Sequence, residues 1–380
     1  MSQKRSIFEE VGQGAKPAAR PQGGMIDARP KGARAAIRVW LLVLFALVWA
    51  MILVGGATRL TDSGLSITEW KPVTGALPPM SEAAWSEEFQ KYQQIPQFEI
   101  MNPDMTLEDF KGIYWWEWGH RQLGRVIGLI WALGFFGFLV TKRIPTGWTP
   151  RLLALGALGG LQGAIGWWMV SSGLGGEMVS VASYRLATHL GLAFVILALI
   201  TWYALMLGRR ESDLLQSRRV GEAKLFSLST GVMHFAFLQI ILGALVAGLD
   251  AGRGYTDWPT MGGEFLPSEA FDLTPVWKNL FENPVLTQFL HRMAGYALVL
   301  FAAFAAFRGR RSAHPKTQTA FLWMGAMLLM QLALGITTLV NGAPLHLGLI
   351  HQAAAVIVWV LVIRARFLAR YPLVTSIRGA

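Results

Sequence analysis

The sequence predicts an all-α integral membrane protein whose eight transmembrane helices form two homologous four-helix bundles, related as parallel repeats. Three observations carry this: the composition, the spacing of apolar runs, and an internal duplication. Of 380 residues, 53% are hydrophobic and 15% charged, whereas a soluble domain carries about a quarter charged. Mean hydropathy is +0.40. Apolar runs of about 18 to 23 residues suffice to cross a hydrocarbon core of roughly 30 Å. Eight such runs lie near 38–57, 119–140, 152–171, 186–207, 225–247, 288–307, 319–340 and 346–363.

The duplication is visible residue by residue. HRQLGRVIGLIWALGFF from His120 aligns with HRMAGYALVLFAAFAAF from His291, and LQGAIGWWMVSSGL from Leu161 with MQLALGITTLVNGA from Met330, which matches Gln162 to Gln331. In the helix after each, His189 matches His351. An even number of helices per unit sets both units the same way up, about an axis along the membrane normal. The expected organisation is a polar, Gly/Pro/Ala-rich basic arm over 1–37, an N-terminal unit over 38–207, a charged link over 208–224, a C-terminal unit over 225–365 and a tail over 366–380.

The net charge of +11 does not indicate nucleic acid, because the charge is segregated. With both termini in the cytoplasm, residues 1–38, the inner links and residues 364–380 hold 24 of 34 Lys and Arg but only 6 of 23 Asp and Glu. That is the asymmetry of the positive-inside rule, with basic residues acting as topology signals and lipid contacts. The arm lacks the apolar core and cleavage site of a signal peptide. There are no cysteines, so disulfides, thiolate ligands and iron–sulfur clusters are excluded, and metal chemistry falls to His and carboxylate.

In this topology His120, His189, His291 and His351 all sit in the first turns of even-numbered helices, near the outer leaflet. Each unit therefore carries two histidines at one depth. A ring nitrogen in hydrocarbon is costly unless satisfied, and two imidazoles across a four-helix core can ligate one haem iron from both faces. Zinc fits less well, because neither pair brings the third and fourth ligands of a closed site. His346 reads as a loop or gate residue, and His234 and His314 as structural.

Arg121 and Arg292 follow the leading histidines of the two units. Either they snorkel to the interface, or their planar donor forks pair with haem propionates. Arg125 has no match, since Tyr296 or its neighbours fall there. The units differ three residues before the leading histidine, where Glu117 stands opposite Gln288. Spacing i,i+3 puts Glu117 on the face of His120. A carboxylate there points to acid–base chemistry in the first unit and a permanent cofactor in the second, unless Glu117 is merely solvated or paired with Arg121 at i+4.

The first outer loop, about Thr58 to Glu117, is long enough to carry function or structure of its own. In SEAAWSEEFQKYQQ, a Ser81 cap followed by Trp85, Phe89 and Tyr92 predicts an amphipathic helix lying on the bilayer. Thr106 and Asp109 have capping-box spacing and lead toward the second helix. A second loop, about 249–287, is the counterpart, and together the two could roof both units. Trp115, Trp116 and Trp118 read as an interfacial belt.

These residues also carry a family resemblance. VGGATRLTDSGLSITEWKPVTGALPP, FKGIYWWEWGHRQLGR, LQGAIGWWMV, HRMAGY and GLIHQ, over about residues 38–365, resemble haem A synthase. The resemblance implies an enzyme of the bacterial inner membrane that oxidises a methyl group of haem O to a formyl group, by two hydroxylations and loss of water, giving haem A for terminal oxidases. It implies haem b held by His291 and His351, haem O attended by His120 and His189, and Glu117 as catalytic carboxylate. The disulfide of some members is absent here. Haem O, haem A and the bilayer are the implied partners; haem O synthase, an electron donor or acceptor, oxidase assembly factors and a second copy of the chain are further candidates. Two competing readings are a dihaem cytochrome b that only transfers electrons, and a transporter built on parallel repeats.

Overall fold

The computed structural model describes residues 33–373. Its eight long apolar helices are α1 (Arg34–Leu60), α2 (Leu107–Val140), α3 (Thr149–Val170), α4 (Ser183–Leu207), α5 (Ala223–Gly248), α6 (Pro284–Gly309), α7 (Pro315–Val340) and α8 (Leu345–Arg370). The described residues contain no β-strand, only an isolated bridge between Met261 and Glu264. The protein is thus all-helical and spans a membrane. Starts are set by local chemistry. Proline occupies the first turn of α3, α6 and α7, where its missing N–H costs nothing. The Asn283 side chain caps α6 by accepting from the backbone N–H groups of Val285 and Leu286.

Seven helices begin within about four residues of the apolar runs, and α2 does not. Its start at Leu107 is fixed by the reciprocal Thr106–Asp109 capping box, twelve residues before the apolar run near 119–140. A helix of 34 residues is about 51 Å long, so its first turns project beyond a core of roughly 30 Å. His120 therefore lies in the interior of α2 rather than in its first turns.

The projecting turns have a partner. The helix Glu82–Tyr92 forms behind Ser81, whose hydroxyl accepts from the Ala84 N–H. Its apolar face does not lie on the bilayer, contrary to expectation. Trp85 meets Tyr114 with ring centroids 4.9 Å apart, Phe89 meets Phe110 at 5.1 Å, and Tyr92 is fully buried. The amphipathic pattern was right, but the surface that covers it is the extension of α2. Lys91, on the polar side, bridges Glu69, Glu87 and Glu88, and those contacts raise its pKa although burial opposes them.

The helices pack in the same order in both halves. In the first, α1 lies against α2 and α4, and α3 against α2 and α4; in the second, α5 lies against α6 and α8, and α7 against α6 and α8. Contacts of α4 with α5 and of α8 with α1 and α4 join the halves. Specific bonds hold this seam: the Trp359 indole N–H donates to the Phe194 carbonyl at 2.9 Å, and the Gln352 amide to the Ile52 carbonyl at 3.0 Å. Gly56 leaves space for Gln352, whose Oε1 a Cβ there would overlap. The charged link contains a short helix, Glu211–Arg219, and Arg209 ties it to the end of α8 through the carbonyls of Tyr371 and Pro372. Residues 34–37 belong to α1 and 366–370 to α8. The rest of the expected arm, over 1–32, and of the tail, over 374–380, lies outside the described residues.

Candidate functional site

Each of the four histidines is received by a glycine on the preceding helix. A Cβ would come within 2.9 Å of His120 Cε1 at Gly55 and of His189 Cε1 at Gly166. The corresponding distances are 3.0 Å from Gly243 to His291 and 3.1 Å from Gly335 to His351. Contacts this short are what a side chain on the odd helix would prevent, so glycine lets the Cε1 edge of each imidazole approach the neighbouring helix. All four rings are half-buried.

Three rings also have an amide partner. Gln162, Gln239 and Gln331 donate from Nε2 to the backbone carbonyls of His189, His291 and His351 at 3.0, 2.9 and 2.9 Å. The same nitrogens lie 3.3, 3.0 and 3.3 Å from the Nδ1 atoms. The three amide oxygens are buried and unpartnered. No group of three or more His, Cys, Asp and Glu suited to a metal ion occurs among the described residues.

Glu117 is buried at 3% exposure, and four donors address its two oxygens. Oε2 accepts from the Ser66 hydroxyl and the Ile67 N–H, both at 2.8 Å. Oε1 accepts from Nε and Nη2 of Arg121. Arg121 also donates to the carbonyls of Ile67 and Glu69 at 2.7 and 2.8 Å. Its guanidinium carbon lies 5.8 Å from the centre of the Trp167 ring. Glu117 thus uses its i+4 neighbour Arg121, the pairing that the sequence left open.

The second unit repeats this arrangement without the acid. Gln288 donates to the Tyr255 carbonyl at 3.0 Å and accepts from Arg292 at 3.4 Å. Arg292 donates to the carbonyls of Tyr255, Asp257 and Thr260 at 2.9, 3.0 and 2.8 Å. Its buried Nε has no partner. The Asp257 carboxylate closes this turn by accepting from the Gly262 and Gly263 N–H groups and the Thr260 hydroxyl, and these bonds pull its pKa down to about 2. The position of Arg125 is filled in the second unit by Tyr296, and both reach the loop: Arg125 donates to the carbonyls of Lys71 and Pro72, while Tyr296 accepts from the Trp258 indole.

A family profile described as cytochrome oxidase assembly protein matches residues 38–363. The chain belongs to that family. Its relatives include a heme A synthase of Ruegeria sp. (strain TM1040), 66% identical over 99% of both chains. Another, from Paracoccus denitrificans (strain Pd 1222), is 64% identical over 99% of both chains. A third, from Roseobacter denitrificans, is 62% identical over the whole of both.

The sequence singles out the histidines, the arginines and Glu117, and the structure adds Gln239 and the four glycines. The available signal was Gln-x-x-x-Gly, at Gln162–Gly166, Gln239–Gly243 and Gln331–Gly335. The remaining histidines stand apart from the pairs. His346 is exposed at the start of α8; His234 is exposed and bonded to the Thr230 carbonyl at 3.0 Å; His314 caps α7 with its carbonyl. Trp115 and Trp116 are exposed, whereas Trp118 packs inward against the loop cluster.

Proposed function

We propose that the chain is a haem A synthase, a membrane oxidoreductase that converts a methyl group of haem O to the formyl group of haem A by successive hydroxylations. The observation that carries this is full-length identity above 60% to proteins named heme A synthase. Within that activity, we assign the first unit, 38–207, to haem O and the second, 225–365, to a resident haem b.

The residues fit two porphyrins. Each half offers a pair of imidazoles, with no group of three or more metal donors among the described residues, which suits bis-histidine ligation of haem, and the facing glycines give every ring room at its edge. Haem b, when bound, supplies one-electron redox chemistry that the chain tunes by ligation and surroundings. His291 and His351 are its proposed ligands; His120 and His189 hold the substrate. Arg121 and Arg292 anchor the two loops over these sites. An arginine carries five N–H donors, and each of these makes four of the bonds described above, leaving one donor for a propionate.

Glu117 is the proposed proton acceptor or water-orienting group during methyl oxidation. It is a buried carboxylate beside the substrate ligands, and the cofactor unit has an amide in its place. The positive-inside asymmetry supports a topology with both termini in the cytoplasm and both haem sites toward the outer face of a bacterial inner membrane. Haem O synthase, an electron donor or acceptor and oxidase assembly factors are the partners this activity calls for, and a homo-oligomer is compatible with it.

The test is to express the chain in cells that make haem O but no haem A, and to identify extracted haems by chromatography. Haem A should appear. Haem b without haem A would favour a dihaem electron-transfer protein.

A further inference from the structure

Three of the four imidazoles share an amide partner, and the fourth does not. Four residues before the ring-facing glycine stands Gln162 on α3, Gln239 on α5 and Gln331 on α7, but on α1 the residue four before Gly55 is Met51. Met51 fills the space that glutamine fills elsewhere. A Cβ on Gly124, one turn after His120, would lie 3.5 Å from Met51 Cε, and one on Gly295, one turn after His291, would lie 3.2 Å from Gln239 Nε2.

We infer that Met51 makes His120 the labile ligand of the first unit, setting that unit for porphyrin exchange while the three glutamines set their histidines for retention. The inference rests on the assignment of haem O to the first unit. An imidazole that gives one nitrogen to iron carries its proton on the other. Passing that N–H to an acceptor fixes the ring and raises its basicity. The amide nitrogens of Gln162, Gln239 and Gln331 lie 3.3, 3.0 and 3.3 Å from Nδ1 of their histidines, and the buried oxygens of the same amides have no partner, so a half-turn of each amide offers its ring an acceptor. A thioether accepts weakly and sits on a flexible stem. Met51 therefore neither orients His120 nor strengthens it as a ligand.

The asymmetry follows the two tasks. In the second unit both ligands, His291 and His351, have an amide, which suits a cofactor that stays. In the first unit His189 has Gln162 and His120 has none, so one side holds the porphyrin while the other lets go. A substrate that enters and a product that leaves need one such side.

The experiment measures release of ferric haem from purified, haem-loaded full-length protein to excess apomyoglobin, together with the midpoint potential of each haem. Wild type should release haem in two phases, the faster from the first unit. Losing an outer-shell partner of a ligating histidine typically costs about 10- to 100-fold in affinity. Met51→Gln should therefore slow the fast phase by about that factor and lower the corresponding potential. Gln239→Met should accelerate the slow phase, and Met51→Leu, which changes the side chain without adding an amide, should leave both phases as they are. Release from Met51→Gln and Gln239→Met at wild-type rates, with two haems bound, overturns the inference. So does Met51→Leu slowing release as much as Met51→Gln. A first unit that takes up no haem in wild type overturns instead the functional assignment beneath it.

Discussion

Arg121 and Glu117 form a buried ion pair one turn apart on α2, whereas Arg292 on α6 meets Gln288 at the same spacing. In both units the arginine also draws the preceding loop onto the helix through backbone carbonyls. Around these arginines the scaffold is therefore shared, and the difference there is one charge. Desolvating a carboxylate and a guanidinium together is worth little net stability, but removing one partner leaves an uncompensated charge at a cost of about 3–5 kcal/mol.

Glu117→Gln should separate chemistry from structure. A glutamine can accept from Arg121 as Gln288 does from Arg292, so the variant should fold, keep haem b and bind haem O. It should make little or no haem A and accumulate the hydroxylated intermediate. Chromatography of extracted haems decides this, and wild-type haem A would reduce Glu117 to a structural role. Glu117→Ala should in addition lower thermal stability, since it strands Arg121.

The eight spans were legible because apolar composition reports the solvent directly, and the histidine pairs because a duplicated unit presents each twice. The start of α2 was legible in the Thr106–Asp109 capping box, but the cover over its projecting turns was not. LEDFKGIYWWEW is too polar to read as a membrane helix, and its apolar positions make sense only once Trp85, Phe89 and Tyr92 cover them. An amphipathic period reveals that a face will be covered, not by what. For the same reason Gln162 and Gln331 could be matched to each other in sequence, while their contact with histidines 27 and 20 residues away awaited the packing of neighbouring helices.

The arginines should be intolerant of lysine. One ammonium has three donors and no fork, and cannot span the carbonyls of Tyr255, Asp257 and Thr260 as Arg292 does. Arg292→Lys should increase hydrogen exchange across 255–263 and shift the haem b midpoint potential. Arg121→Lys should do the same to 66–72 and weaken haem O binding. Exchange and potentials equal to wild type in both would mean that the arginines only snorkel.

Replacing His291 or His351 with Ala should remove or grossly perturb the b-type spectrum of the purified protein, while His120→Ala and His189→Ala should retain it and lose haem A formation. Unchanged haem b content in the first two variants would sink the assignment of the second unit as the cofactor site.

The glycine cradle gives a test in which stability and function move in opposite directions. On α3, a methyl at Gly166 would stand 2.9 Å from His189 Cε1, whereas at Gly163, one turn earlier, it would meet nothing within 4 Å. Glycine inside a helix is disfavoured relative to alanine by about 1 kcal/mol, so both Gly→Ala variants gain helix propensity. Gly163→Ala should be as stable as wild type or more so, with unchanged haem content. Gly166→Ala can keep its helix only by displacing the imidazole, because a contact under about 3.0 Å forces something to shift and the ring is the movable party. The expected result is a folded protein with normal haem b, a reduced occupancy of haem O and a proportionate loss of haem A. Equal haem O binding in the two variants, measured on purified protein at matched expression, would show that the close approach of Gly166 to His189 is packing alone.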